Sequence, residues 1–337
     1  MAEIPEPIHS ITALIDQHHQ TRQTPPRPHM GISTLGQKCD RKLWLAFRWA
    51  VQPKFPGRVL RVFRRGHMEE ATIMHDLKVI GIRFAEMSRQ HEVKFGAHVS
   101  GSLDAIIERG VPGAEKTRHV AEFKTHNAKS FADLVKHGVE KSKPEHFAQM
   151  QVYMLGTEID RALYVAVCKD NDEIYTERVE LNREFAERAV ERGKRIALAD
   201  RMPEPISADP SWFACKFCDA HAFCHDKQPT KHVNCRTCAH STAMEDSTWR
   251  CERHDADDIP LDFQRKGCDD HVLHPDLVPW RMEPHGDDGK SVVYWIENNP
   301  VVNGPDGRTS REILENPVKC AVDSITIEIL RNFPKAG

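Results

Sequence analysis

No stretch of this 337-residue sequence stays apolar long enough to cross a bilayer as a helix, which takes about 20 residues. The first ten residues, MAEIPEPIHS, have neither a basic start nor an apolar stretch, so no secretory signal is read there. No internal repeat is visible. Net positive charge is missing too: 47 Lys and Arg face 50 Asp and Glu, for a formal charge of −3. These absences argue against a helical membrane-spanning or uniformly basic protein, and a soluble globular chain in the cytoplasm is the expectation. Its length suits one large core or two modest ones.

The average charge hides a local bias. Between Arg27 and Glu70 the basic residues are Arg27, Lys38, Arg41, Lys42, Arg48, Lys54, Arg58, Arg61, Arg64 and Arg65, opposed by Asp40, Glu69 and Glu70. A phosphate backbone could follow such a patch, although a solvated helix face has the same composition. Cysteine is also unevenly spread. Seven of the ten cysteines fall between Cys215 and Cys268. In a reducing compartment clustered thiols point to metal rather than to disulfides. Cys168, in the apolar run ALYVAVC, reads as a buried strand thiol, and Cys320 stands apart.

The spacing of apolar residues predicts the organisation. Residues 1–30 read as a tail, with a short helix over Ile8–Gln20 and a Pro-rich linker, TPPRPH. A helix is expected over Ser33–Trp49, packing through Leu35, Leu43, Trp44, Phe47 and Trp49, and another from Arg64 to Val79, ended by Gly81. HEVKF, HVSGSLDAIIE and RHVAEFKT read as three strands of a meander. Two helices follow, around SFADLVKHG and PEHFAQMQVYMLG, then strands RALYVAVCK and EIYTERVEL, and a helix from Arg183 to Asp200. This order suits an α/β fold with a central mixed sheet flanked by helices. After Pro203 periodic apolar signals fade. Cys, His and Asp dominate from Cys215 to His274, and this segment is expected to fold around metal rather than a core, with residues 231–280 as a zinc-ribbon-like part. Residues 281–337, with the strand SVVYWIE and the turn NGPDG, are expected to form a small β-rich appendage.

Chemistry concentrates in GSLDAIIE and AEFKTH. Glu122 and Lys124 are two apart and share one face of a strand. If the preceding strand pairs beside them, Asp104 joins. Two carboxylates can then hold Mg2+ or Mn2+ against a phosphate, while the ammonium steadies a water and offsets transition-state charge. An E-x-K by itself is often a solvated pair.

The G-x-x-D then E-x-K pattern resembles the PD-(D/E)XK nucleases, particularly their RecB, AddB and lambda-exonuclease branch. Gln149 and Tyr153, in FAQMQVYM, match the Q-x-x-x-Y helix motif of that branch, and Gly66–Glu70, in RRGHMEE, matches its helix that lends a further metal ligand. Either His67 or Glu70 can fill that place. The resemblance covers about residues 31–225 and implies a restriction-endonuclease-like core over 31–230. Its catalytic residues would be Asp104, Glu122, Lys124, Gln149 and Tyr153.

The cysteines extend it. Cys215, Cys218 and Cys224 form C-x2-C-x5-C, and Cys39 is the only cysteine before Cys168. A lone early thiol with such a late set resembles the iron–sulfur nucleases, which implies a 4Fe-4S cluster on Cys39, Cys215, Cys218 and Cys224. Zinc, with His221 or His225 substituting, is the rival. Cys235 and Cys238 form a C-x2-C knuckle, followed by Cys251 and Cys268, and look like a zinc ribbon with His254, His271 or His274 as alternate ligands. The expected activity is metal-dependent DNA hydrolysis, exonucleolytic, in recombination or end processing. DNA is the expected partner, with a recombination or single-strand-binding protein beside it. A phage-type enzyme acting in a host cytoplasm fits the resemblance. An endonuclease or CRISPR-adaptation processor, and a non-catalytic DNA-binding module, are the alternatives.

Overall fold

The computed structural model describes residues 10–86, 91–286 and 289–332. No helix among them is long and apolar enough to cross a membrane. The chain divides into two compact units. Met1–Gln37, Pro53–Phe95 and Val99–Gly193 form the first; Lys38–Gln52, Gly96–His98 and Lys194–Gly337 form the second.

The first unit contains α1 (Ile11–Gln20) and β1 (Met30–Gly31); α2 (Asp40–Phe47) belongs to the second. Then come α3 (Gly57–Val79), β2 (Arg83–Phe84), β3 (Glu92–Gly96), β4 (Val99–Ser102), β5 (Ala105–Arg109) and β6 (His119–His126). After α4 (Ala128–Ser142) and α5 (Pro144–Thr157) the chain forms β7 (Arg161–Cys168), β8 (Ile174–Glu180) and α6 (Arg183–Ala197). The fold is mixed α/β, as expected. Its main sheet has the order β2-β5-β6-β7-β8. β6 and β7 are parallel and the other pairs antiparallel. A parallel pair needs a crossover, which α4 and α5 supply, and helix-covered strands can be apolar on both faces. In β7 every residue after Arg161 is buried, Cys168 included.

Side chains alternate along β6. Ala121 and Phe123 enter an apolar cluster with Ile73 of α3, Ile107, Leu163 and Val165. Glu122 and Lys124 therefore take the opposite face.

Three local differences from the sequence reading have physical causes. The run HVSGSLDAIIE is two strands, not one. β4 lies between β1 and β3 in a three-stranded sheet, while β5 joins the main sheet, so the chain changes sheets at Leu103–Asp104. α3 begins at Gly57 rather than Arg64, directly after Pro56. A Cβ at Gly57 would sit 2.4 Å from Asp16 Cα, so glycine lets α1 approach, and Asp16 pairs with Arg61. The helix expected over Ser33–Trp49 is a 3-10 turn, Ile32–Thr34, and the shorter α2, with Cys39 capping it. Its five packing residues are all buried. Ile8 and His9 of the first expected helix lie outside the described residues.

The second unit contains α2, α7 (Phe213–Lys216), α8 (His221–His225), a hairpin of β9 (Ser241–Ala243) and β10 (Trp249–Cys251), and α9 (Leu261–Lys266). Contrary to expectation, its polar segment does build a core. The Arg236 guanidinium lies 3.8 Å from the Trp49 ring centroid and 4.8 Å from that of Trp249. It donates to Phe47 O at 2.9 Å and to Gln264 Oε1 at 3.0 Å. Stacking and charge-assisted hydrogen bonds make so buried a cation tolerable. The C-terminal part holds an antiparallel sheet of β11 (Arg281–His285), β12 (Ser291–Ile296) and β13 (Asn299–Asn303), and two unforeseen helices, α10 (Ser310–Glu315) and α11 (Pro317–Asn332). Tyr294, Ile296, Val301, Ile313 and Cys320 share one cluster there. A Thr309–Glu312 capping box starts α10.

Candidate functional site

Backbone register brings the two central carboxylates together. Ala105 pairs with Ala121 and Ile106 with Val120, so one further step sets Asp104 opposite Glu122. There the ladder stops, and Asp104 Oδ2 accepts the Phe123 N–H at 2.9 Å. The aspartate thus stands in for the strand that has turned away. Glu122 is wholly buried. Lys124 Nζ donates to its Oε1, and Gln149 Nε2 donates to its Oε2 at 3.0 Å. Burial pushes the Glu122 carboxyl up to about 7; Lys124 works against this, and Asp104 adds to it. Burial also opposes the charge on Lys124, but Glu122, Asp104 and Glu70 outweigh it and hold the ammonium above the usual lysine range.

Glu70, on α3, belongs to this group. Burial raises its carboxyl first and Asp104 second, while His67 and Lys124 oppose the rise. His67 stands outside: its side chain is 79% exposed, against 36% for Glu70, and its Nδ1 lies 3.5 Å from Glu70 Oε1. Tyr153 has a different place from Gln149. Its buried hydroxyl donates to Ser102 O at 2.7 Å, at the end of β4 where the chain leads into Asp104. A Cβ at Gly101 would lie 2.8 Å from that hydroxyl oxygen and 3.0 Å from Ile32 Cβ. The glycine three residues before Asp104 therefore makes room for the tyrosine of the helix motif.

Sequence reasoning missed a buried polar cluster beside these residues. Tyr164 is the register partner of Glu122 on β7. Its hydroxyl lies 3.0 Å from His126 Nε2 and 2.8 Å from His146 Nδ1, and His126 Nδ1 lies 3.0 Å from Ser130 Oγ. Burial pulls His126 down to about 4 and His146 down to about 3, so both are neutral near pH 7. The four residues come from four elements, so no spacing rule reveals them.

The second unit gathers both cysteine sets. Cys235, Cys238, Cys251 and Cys268 line one cavity of about 10 Å³. Burial pushes Cys235 up to about 11 and Cys238 up to about 12, and the thiols of Cys251 and Cys268 add to both rises. Cys215 is raised by burial, then by Cys39 and Cys218; Cys224 is raised by burial, with Arg41 opposing and Cys218 and Cys39 adding. Cys39 thus neighbours the late trio. Among the described residues no three His, Cys, Asp or Glu side chains stand close enough to share an ion as they are oriented.

Several alternate ligands are otherwise engaged. His271 uses Nδ1 on Ser310 Oγ at 2.8 Å and Nε2 on Asn234 O at 3.1 Å. His274 uses Nε2 on Asp200 O at 3.0 Å, and its Nδ1 accepts the Asp276 N–H at 3.2 Å. His221 Nδ1 sits 3.0 Å from Cys215 O, and the His221 and His225 rings are 5.0 Å apart. His254 Nε2 is 3.9 Å from Cys268 Sγ.

The profile of the PD-(D/E)XK nuclease superfamily matches residues 13–225, most of the chain. The chain belongs to this superfamily. Solved structures give distant likenesses. One is the crystal structure of SSO0001, at 17% identity and TM-score 0.39, covering 64% of this chain and 96% of that one. Another is an alkaline exonuclease, LHK-Exo, from Laribacter hongkongensis, at 16% identity and TM-score 0.38, covering 53% and 90%. The same enzyme in complex with dAMP gives 16% and 0.38, covering 55% and 90%. No curated protein matches the chain.

Proposed function

We propose that this chain is a divalent-metal-dependent DNA exonuclease of the iron–sulfur, RecB/AddB-like and phage-type kind, acting in recombination or end processing. The observation that carries the reading is the register that sets Asp104 opposite Glu122, with Lys124 on the same face. Superfamily membership supports the same chemistry.

Asp104, Glu122 and Glu70 would hold Mg2+ or Mn2+. The fit is chemical: all three offer hard carboxylate oxygens, and Glu122 is buried among like charges that a cation would relieve. When bound, such an ion polarises the scissile phosphate and eases deprotonation of water. Lys124 Nζ orients the attacking water and offsets negative charge in the transition state. Gln149 fixes Glu122 through Oε2, and Tyr153 fixes the end of β4 that leads into Asp104. Glu70 rather than His67 completes the carboxylate group, because Glu70 feels Asp104 and Lys124 directly and His67 is exposed beyond it.

The cysteines read as two metal centres. Cys39, Cys215, Cys218 and Cys224 would carry a 4Fe-4S cluster; Cys39 and Cys218 influence both Cys215 and Cys224, and ligation would need the four thiols to turn toward one another. Residues 53–193, with the whole main sheet, lie between Cys39 and Cys215 in the chain, so a cluster there would close a long loop and restrict the unfolded state. Cys235, Cys238, Cys251 and Cys268 surround a cavity suited to one ion and would hold Zn2+, giving a ribbon over 231–280.

The test is cleavage of end-labelled linear DNA against closed circular DNA, with Mg2+ or Mn2+ and with chelator. Progressive release of short products from linear DNA alone is expected. Cleavage of the circle supports an endonuclease or adaptation-type processor instead. No cleavage of either, by protein that retains both metals, supports a non-catalytic DNA-binding module.

A further inference from the structure

We infer that His146 is a positioning residue for Glu122: through its hydrogen bond to Tyr164 it extends the Gln149 and Tyr153 motif of α5 by one turn. This rests on the nuclease reading above and adds a residue to the same site.

At 100° per residue, His146, Gln149 and Tyr153 fall within about 60° of one another, so they share one face of α5. Each meets a different element of the first unit. His146 Nδ1 lies 2.8 Å from the Tyr164 hydroxyl on β7. Gln149 Nε2 donates to Glu122 Oε2 on β6 at 3.0 Å. The Tyr153 hydroxyl donates to Ser102 O at 2.7 Å, two residues before Asp104. The targets follow the same order across the sheet. Tyr164 is the register partner of Glu122 on one side, and Asp104 stands beside Glu122 on the other. The dimensions agree as well. The steps along the helix are about 4.5 Å and about 6 Å, against about 4.8 Å between neighbouring strands. One face of α5 therefore meets each column of the site in turn, and His146 is its contact at β7.

Burial alone does not call for this contact. A buried tyrosine hydroxyl needs a partner, and one is enough. Tyr164 is wholly buried and already has His126 Nε2 at 3.0 Å. His126 comes from β6 and is steadied at Nδ1 by Ser130 Oγ at 3.0 Å. The contact with His146 is a second one on the same hydroxyl, which can donate one hydrogen bond and accept another. What it adds is a tie from strand to helix three residues before Gln149. Burial and then the Lys124 ammonium draw His146 down to about 3, so it makes that bond as a neutral ring. The tie sets the rotation of the first turn of α5, and with it the aim of the Gln149 amide. Glu122 Oε1 is taken by Lys124, so Gln149 orients the other oxygen.

The test uses the full-length protein and two readouts: Mn2+ binding, followed by the EPR signal of free Mn2+, and single-turnover cleavage of end-labelled DNA. The ion that counts is the one lost in Glu122→Gln. Tyr164→Phe keeps the ring and removes the shared hydroxyl. It is expected to weaken binding of that ion and to slow cleavage about tenfold each, the low end of what losing a ligand's supporting partner costs. DNA affinity in EDTA is expected to stay within about twofold. His146→Ala should behave alike, and His146→Asn, whose amide can take the place of Nδ1, should recover most of the loss. The double variant His146→Ala with Tyr164→Phe should be no worse than Tyr164→Phe alone, because both remove the same bond. Unchanged Mn2+ affinity and cleavage in folded Tyr164→Phe overturns the inference. So do additive losses in the double variant, and so does a loss confined to Tm. The two readings fail separately. Mn2+ affinity that depends on Tyr164 in a protein that cleaves nothing sinks only the nuclease reading, and cleavage indifferent to Tyr164 and His146 sinks only this one.

Discussion

The two units bring charged groups indoors by different means. In the first, a strand register does it: Asp104 and Glu122 face each other because β5 and β6 pair as they do, and the sheet beneath them is apolar. In the second, aromatic faces do it: the Arg236 guanidinium lies over the rings of Trp49 and Trp249, while a separate set of four cysteines lines one cavity. Stability and function are therefore expected to separate between them. On the proposed function, a carboxylate held by register is buried at a cost for the sake of catalysis, whereas the thiol set would hold its segment together through metal.

Substitution at the carboxylates challenges the first half of that contrast most strongly. Glu122→Gln or Asp104→Asn should lower the rate of DNA cleavage by about a thousandfold or more, since a carboxylate proposed to hold the metal is lost. Thermal unfolding of Glu122→Gln should occur at the same temperature or higher, because a buried carboxylate disfavoured by burial has been removed. A large fall in Tm together with the fall in rate would place Glu122 among structural groups instead.

The second half is tested by Cys235→Ser. Metal-dependent folding energy is expected to be lost locally, on the order of several kcal/mol. Hydrogen exchange should rise across Asn234–His274 and stay low in β5, β6 and β7. Unaltered exchange across Asn234–His274 would mean that the thiols do not hold that segment.

A more modest change separates the two candidate ligands on α3. Glu70→Gln should reduce cleavage about thirtyfold, roughly 2 kcal/mol of transition-state stabilisation, whereas His67→Ala should stay within about threefold. The reverse order would move the helix ligand to His67.

Least in size is an effect on stability. His126 and His146 are held at about 4 and about 3 in the folded state, below the unfolded value near 6.5. Their contribution is therefore full above pH 6.5 and is lost as pH falls through 6.5 toward 4, at up to about 1.4 kcal/mol per pH unit for each. Glu122, raised to about 7, acts in the opposite sense, so the measurement belongs in Glu122→Gln protein. Denaturant unfolding there should show a steeper acid loss than in the same protein carrying His146→Gln. Equal slopes would mean that His146 is not held neutral.

Much of the first unit was legible because its signals are local. Alternation gave the β6 face that carries Glu122 and Lys124, and helical spacing put Gln149 and Tyr153 on one side of α5. The change of sheet at Asp104 was not legible, since it depends on Tyr153 reaching Ser102 past Gly101, a contact between residues about 50 apart. The early start of α3 carried a signal in Pro56 and in the helical spacing of Val59, Leu60, Val62 and Phe63, and α10 carried one in Thr309–Glu312, and both were passed over. The Ser130–His126–Tyr164–His146 cluster had no signal at all. In the second unit the burial of Trp44 and Trp49 was anticipated, but that of Trp249 was not, nor that of Arg48 and Arg236, because composition reads arginine as exposed.

Lys124 offers the most direct test of the site. The measurement is single-turnover cleavage of end-labelled DNA by Lys124→Ala at saturating Mn2+, with DNA affinity determined in parallel in EDTA. Cleavage at least about a hundredfold slower, with affinity within about threefold of the unmutated protein, is the predicted result. Cleavage at the unmutated rate would contradict a site built on Asp104, Glu122 and Lys124.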